Sequence, residues 1–119
     1  MTLPAPIRAV MFFANDPEAA CRWWATHLGG LGTTPTQTDG LWWFDRSGVE
    51  VAFHPCDPVR NPVGGSPVVY WAVNDLAADR ERLLRVGCTP HRGPLRVTPT
   101  RLVCQLVDPF GNTFGLDGS

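Results

Sequence analysis

The sequence predicts an α+β fold of two tandem β-α-β-β-β modules, and three observations carry that expectation. A weak internal repeat sets Ala14-Asn15-Asp16 about 59 residues before Val73-Asn74-Asp75, each ahead of a helical stretch. Both helical stretches end on glycine, at Leu28-Gly29-Gly30 and at Arg85-Val86-Gly87. Strand-type segments surround each helix in the same order, one before it and three after it.

Taken in order, residues 7–13 form an apolar strand that leads to Asp16-Pro17. Asp16 is an N-cap with proline at the first helical position, and Gly29 is the expected left-handed stop. Ala20, Trp24 and Leu28 recur at i, i+4 and i+8, so they form the buried face of the first helix. A weaker strand over 31–37 and clearer ones over 41–44 and 49–53 complete module one, about 6–57. The stretch from Asp57 to Pro67 holds too many prolines and glycines for a regular element and reads as a linker. Module two, about 67–119, repeats the plan with a strand over 68–73 and a helix capped by Asp75 that buries Leu76, Leu83 and Val86. Strands over 89–97, 102–107 and 113–116 follow. Each half, at about 55 residues, could hardly bury a core alone, so both are expected to make a single domain.

Composition narrows the function. A net charge of −1, with ten arginines spread along the chain, leaves no basic footprint for nucleic acid or an anionic membrane. The chain starts without the basic and apolar regions of a signal peptide, and no apolar run approaches the roughly 18 residues that span a bilayer, so a cytoplasmic protein is expected. Cys21, Cys56, Cys88 and Cys104 include no C-x-x-C pair, which suits reduced thiols rather than a zinc site or disulfides. The serines lack a nucleophile elbow, and Gly64-Gly65 lacks the helix and lysine of a phosphate loop.

The closing run from Asp108-Pro109-Phe110-Gly111 to Leu116 reads as a turn, with positive φ at Gly111-Asn112, followed by a strand. It resembles the last hairpin of the glyoxalase/bleomycin-resistance family, the vicinal oxygen chelate superfamily. The stretch from Ala19 to Gly29, with Trp23-Trp24 before a Leu-Gly stop, is similar to the family's first helix, and Val73-Asn74-Asp75-Leu76 to the approach to its second. The resemblance implies curled mixed sheets around a cavity, where a divalent cation is held by one side chain from each of the first, fourth, fifth and eighth strands. Carried onto this chain, those positions are Ala9, Glu50, Val68 and Gly115. Only Glu50 can donate an electron pair, so neither a metal nor another cofactor is expected. A substitute site from Glu50 and His54 would need a bend, because i and i+4 of a strand share a face but lie about 13 Å apart.

The remaining signal is aromatic: five tryptophans and six phenylalanines in 119 residues. Strand parity turns Ala9, Met11 and Phe13 to the same side as Glu50, Ala52 and His54 within module one, and gives Tyr70 the corresponding side of module two. Trp42 and Trp43 are adjacent and must face opposite sides; Trp42 is the expected pocket residue. Trp24 and Trp71 are expected between helix and sheet, His27 and His91 in solvent. Met11, Phe13, Trp42, Glu50, His54, Tyr70 and Phe110 therefore form the expected ligand-binding set, for a hydrophobic or aromatic small molecule. The expected function is metal-independent small-molecule binding of the bleomycin-resistance type, in a homodimer that uses exposed aromatics such as Trp23. The alternatives are a lyase or isomerase with Glu50 as general base, and an interaction subunit with no ligand.

Overall fold

The computed structural model describes residues 7, 9–38, 40–59, 61–65 and 67–119. The chain forms two compact units, 1–63 and 64–119, and the division falls inside the proline- and glycine-rich stretch. Each unit is a four-stranded mixed sheet with one helix.

Unit one, called module one here, runs β1 (Ala9–Ala14), α1 (Pro17–Leu28), β2 (Thr36–Thr38), β3 (Leu41–Arg46) and β4 (Val49–Pro55). Its sheet order is β1-β4-β3-β2, with β1 parallel to β4 and the other pairs antiparallel. The Asp16 carboxylate accepts the Ala19 N–H at 3.1 Å, the N-cap expected from Asp-Pro. At the other end the outcome differs from expectation: Gly29 keeps right-handed φ of −82° and the left-handed residue is Gly30, at φ 84°. Gly29 is small for a different reason. A Cβ there would lie 2.6 Å from the Ala25 carbonyl oxygen and 2.7 Å from Thr33 Cγ2, so the chain crosses the helix end too closely for any side chain.

The core of module one lies between α1 and one face of the sheet. Trp24 is fully buried and stacks on Phe12 at 4.8 Å between ring centroids, with Phe53 at 6.0 Å. Ala20 and Cys21 are buried beside it, while Leu28 is half-buried. Trp23 is half-buried, edge-on to Trp24 and tilted over His27 at 5.0 Å, so neither Trp23 nor His27 stands free in solvent as expected. The β3–β4 hairpin turns through Ser47 and Gly48 at φ 53° and 86°, the two positive values a two-residue type I′ turn requires.

Unit two, module two, runs β5 (Tyr70–Val73), α2 (Leu76–Arg85), β6 (Thr89–Thr98), β7 (Arg101–Val107) and β8 (Thr113–Gly118). Its order, β5-β8-β7-β6, repeats that of module one. Asp75 caps α2 by accepting the Ala78 N–H at 3.1 Å, and Gly87 supplies the left-handed stop at φ 115°. Leu76 and Leu83 of α2 are fully buried, as are Leu106, Phe114 and Leu116 of the sheet. Trp71 stands opposite Leu116, on this helix-facing side.

The β7–β8 turn is built by Asp108. Its buried carboxylate accepts the Phe110 N–H at 2.9 Å and the Asn112 N–H at 2.8 Å. Gly111 is left-handed as expected, at φ 94°, but Asn112 is not; the Asn112 side chain instead accepts the Gly64 N–H at 3.0 Å. Among the described residues no helix is long and apolar enough to cross a membrane.

Candidate functional site

The face of each sheet away from its helix exposes Met11 in module one and Tyr70 in module two, and strand register decides what else this open face displays. In module one Ala9 pairs with Glu50, Met11 with Ala52 and Phe13 with His54, while β3 places Trp43 opposite Ala52 and Asp45 opposite Glu50. Paired residues share a face. Met11, Leu41, Trp43, Glu50 and His54, with Thr38 of β2, line a hollow of about 350 Å³. Phe13 stands edge-on to the His54 ring at 6.0 Å, and His54 Nδ1 lies 2.8 Å from the Pro55 carbonyl oxygen. Among the described residues no side chain pairs with the Glu50 carboxylate.

Trp42 is not part of this hollow, and the expectation that it would be is corrected. It pairs with Phe53 on the helix side, where the Arg22 guanidinium lies 5.1 Å from its ring centroid and is itself held by Glu18 at 2.9 Å. The residue sequence reasoning passed over is Trp43, and the signal was present. A two-residue turn at Ser47-Gly48 pairs Arg46 with Val49, and counting back puts Trp43 opposite Ala52, hence on the face of Glu50.

Module two displays a different surface. Tyr70, Gly115, Gln105 and Arg92 are partners in succession across β5, β8, β7 and β6. The Tyr70 ring lies over Gly115: a Cβ on Gly115 would run into its Cδ2, Cε2 and Cγ atoms. By spanning β8 in this way the ring reaches Gln105, whose side-chain amide donates to Tyr70 Oη at 2.7 Å. Tyr70, Arg92, Leu95, Val103, Cys104 and Gln105 line a smaller hollow of about 170 Å³. Phe110 is in the β7–β8 turn and lines neither hollow, so it is not brought together with the other expected site residues.

The three buried thiols are poor nucleophiles. Burial pushes Cys21 up to about 11, and burial with the nearby Asp108 carboxylate pushes Cys88 up to about 12. Burial also raises Cys104, whose side chain shares the core face with Leu116.

A glyoxalase-like domain is the family whose profile matches this chain, over residues 9–116. The chain belongs to this family. No protein of curated function matches it. Solved structures of the same fold include a member of the glyoxalase/bleomycin resistance protein/dioxygenase superfamily from Sphaerobacter thermophilus, at 17% identity and TM-score 0.75, covering 98% of each chain. An antibiotic binding protein from Streptomyces sp. CB03234 matches over 100% of both chains at 19% identity and TM-score 0.74. A family enzyme from Burkholderia phytofirmans PsJN matches at 14% identity and TM-score 0.75, over 95% of this chain and 98% of its own.

The cation implied by the glyoxalase-like family does not fit the residues present. Ala9 gives Glu50 only a methyl group as neighbour, Val68 has no donor, and at Gly115 the space beside the strand holds the Tyr70 ring. Among the described residues no three His, Cys, Asp or Glu side chains come together as a metal site.

Proposed function

We propose that this protein is a metal-independent small-molecule-binding member of the glyoxalase-like family. The carrying observation is the open-face hollow of module one: an indole wall from Trp43, apolar flanks from Met11 and Leu41, and the Glu50 carboxylate, which has no side-chain partner among the described residues. Aromatic and apolar walls with a few polar groups are what a small organic ligand needs for stacking and orientation. An antibiotic binding protein among the structures of this fold agrees with that use of the scaffold. The ligand class is hydrophobic or aromatic.

The experiment is a tryptophan-quenching screen of flat small molecules against the wild-type chain and Trp43→Ala. Saturable quenching that Trp43→Ala weakens supports the proposal; its absence across a broad screen overturns it. Metal independence has its own test. A cation bound only by the native state would stabilise it by about 2.7 kcal/mol at a hundredfold excess over its dissociation constant, so Zn²⁺, Ni²⁺ and Mn²⁺ are expected to leave Tm unchanged. About one metal per chain by elemental analysis, lost in Glu50→Ala, would end that reading. We also propose a homodimer of about 26 kDa, from the 13.0 kDa chain, since two-fold pairing is the commonest assembly. A monomer mass by light scattering contradicts it.

A second reading, a lyase or isomerase with Glu50 as general base, is favoured by the absence of a described partner for that carboxylate beside an apolar wall. Turnover abolished by Glu50→Gln with binding retained would select it.

A further inference from the structure

We infer that module two carries a second ligand subsite, for a carboxylate attached to a small apolar group, formed by Tyr70, Gln105 and Arg92 on its open face. These three are partners in one row across the sheet, with Gly115 between Tyr70 and Gln105. Because Gly115 has no side chain, the tyrosine ring lies on the strand and its hydroxyl reaches the neighbour beyond. The Gln105 amide donates to Tyr70 Oη at 2.7 Å, so an oxygen lone pair is used and the phenolic proton is left to point at something else. Among the described residues the Arg92 guanidinium has no ion-pair or hydrogen-bond partner, and its planar fork matches the two oxygens of a carboxylate.

The walls are apolar where the donors are not. Leu95 is 53% exposed and lines the hollow with Val103. At about 170 Å³ the hollow is below the usual range for a drug-sized molecule, so it takes a fragment such as a benzoate-sized acid. Among the described residues no acidic side chain lines it. The inference does not rest on the reading of module one, because among the described residues none lines both hollows.

The test is a ¹H–¹⁵N NMR titration of the full chain with sodium benzoate at fixed ionic strength, with benzamide and benzylammonium as comparison probes. Benzoate is expected to give saturable shifts at the Gln105 side-chain amide and along β6 and β7, and the other two probes none there. Tyr70→Phe keeps the ring over Gly115 and removes only the hydroxyl; it and Arg92→Gln are each expected to weaken benzoate roughly tenfold or more, the worth of one hydrogen bond to a charged group. Arg96→Gln, at another β6 arginine, whose guanidinium donates to the Pro99 carbonyl oxygen at 2.9 Å, is expected to leave benzoate unaffected, which separates the subsite from general attraction to the strand's positive charge. Shifts that do not saturate, an affinity unchanged in either Tyr70→Phe or Arg92→Gln, or benzylammonium binding as well as benzoate would overturn it.

Discussion

In module one the middle row across the open face runs Met11, Ala52, Trp43; in module two the corresponding row runs Tyr70, Gly115, Gln105. Met11 and Tyr70 even match in exposure, at 44% and 43%. The strand order and the register of the three strands in the row are shared, and the central residue is small in both. Yet Ala52 keeps a methyl group and its flanking side chains leave a hollow of about 350 Å³, whereas Gly115 lets the tyrosine lie down and leaves about 170 Å³. Polarity diverges as well: Glu50 and Asp45 face each other in module one, while Arg92 and the Tyr70 hydroxyl stand in module two. A repeated scaffold therefore fixes where side chains stand, and one Cβ at the centre of the row decides whether a ring can cross it.

The largest expected effect sets core against open face. Trp24→Ala removes a fully buried indole stacked on Phe12 and should cost about 3–5 kcal/mol in urea unfolding, while Trp43→Ala on the open face should cost far less. Equal losses would mean that Trp43 is structural and the hollow incidental.

A second experiment attacks the central row itself. Gly115→Ala places a methyl against the Tyr70 ring and should destabilise by about 1–3 kcal/mol, the usual cost of overpacking. A Tyr70→Ala background should remove most of that penalty, and a double-mutant cycle measures the coupling. Ala52→Gly, the mirror change in module one, should lose only about 0.5–1 kcal/mol of strand stability. If Gly115→Ala is neutral, the ring does not lie where the comparison needs it.

The tryptophan pair sharpens the picture of module one. For any ligand found by quenching, Trp43→Ala should weaken affinity by about 1–3 kcal/mol, the range for a buried aromatic contact, and Trp42→Ala should change it little. The reverse order would put the binding face on the helix side.

The smallest effect is electrostatic and confined to module two. Arg101 Nε donates to Asp117 Oδ1 at 2.7 Å, and this contact holds the Asp117 carboxyl below its ordinary value of 3.8. Since the folded-state value is the depressed one, the contribution is present above the unfolded value and is lost as pH falls through the folded one. Asp117→Asn should therefore flatten the acid limb of stability slightly and leave neutral-pH stability nearly unchanged, as befits an exposed pair. An NMR titration that finds Asp117 at an unshifted value would remove the ion pair from solution.

Much of the fold was legible locally. Asp16-Pro17 and Asp75 announced both helix starts, Gly87 one of the stops, and alternation along β1 and β4 placed Met11 with Glu50 and His54. Even the face of Trp43 was encoded, in the length of the Ser47-Gly48 turn, although adjacency alone left the choice between it and Trp42 open. These features depend on neighbours a few residues apart and on a period of two, and a sequence displays both directly.

Only the tertiary structure decided the rest. Tyr70, Gln105 and Gly115 lie far apart in the chain, and the ring's position depends on a missing side chain on the strand it crosses. Along β6, register shifts between Pro90 and Arg92 and between Arg92 and Leu95 break the alternation, so Arg92 and Leu95 line one hollow although they are three residues apart. A period read from the sequence cannot survive an inserted residue whose position is set by the partner strand, and for that physical reason the chemistry of module two emerged only once its four strands were paired.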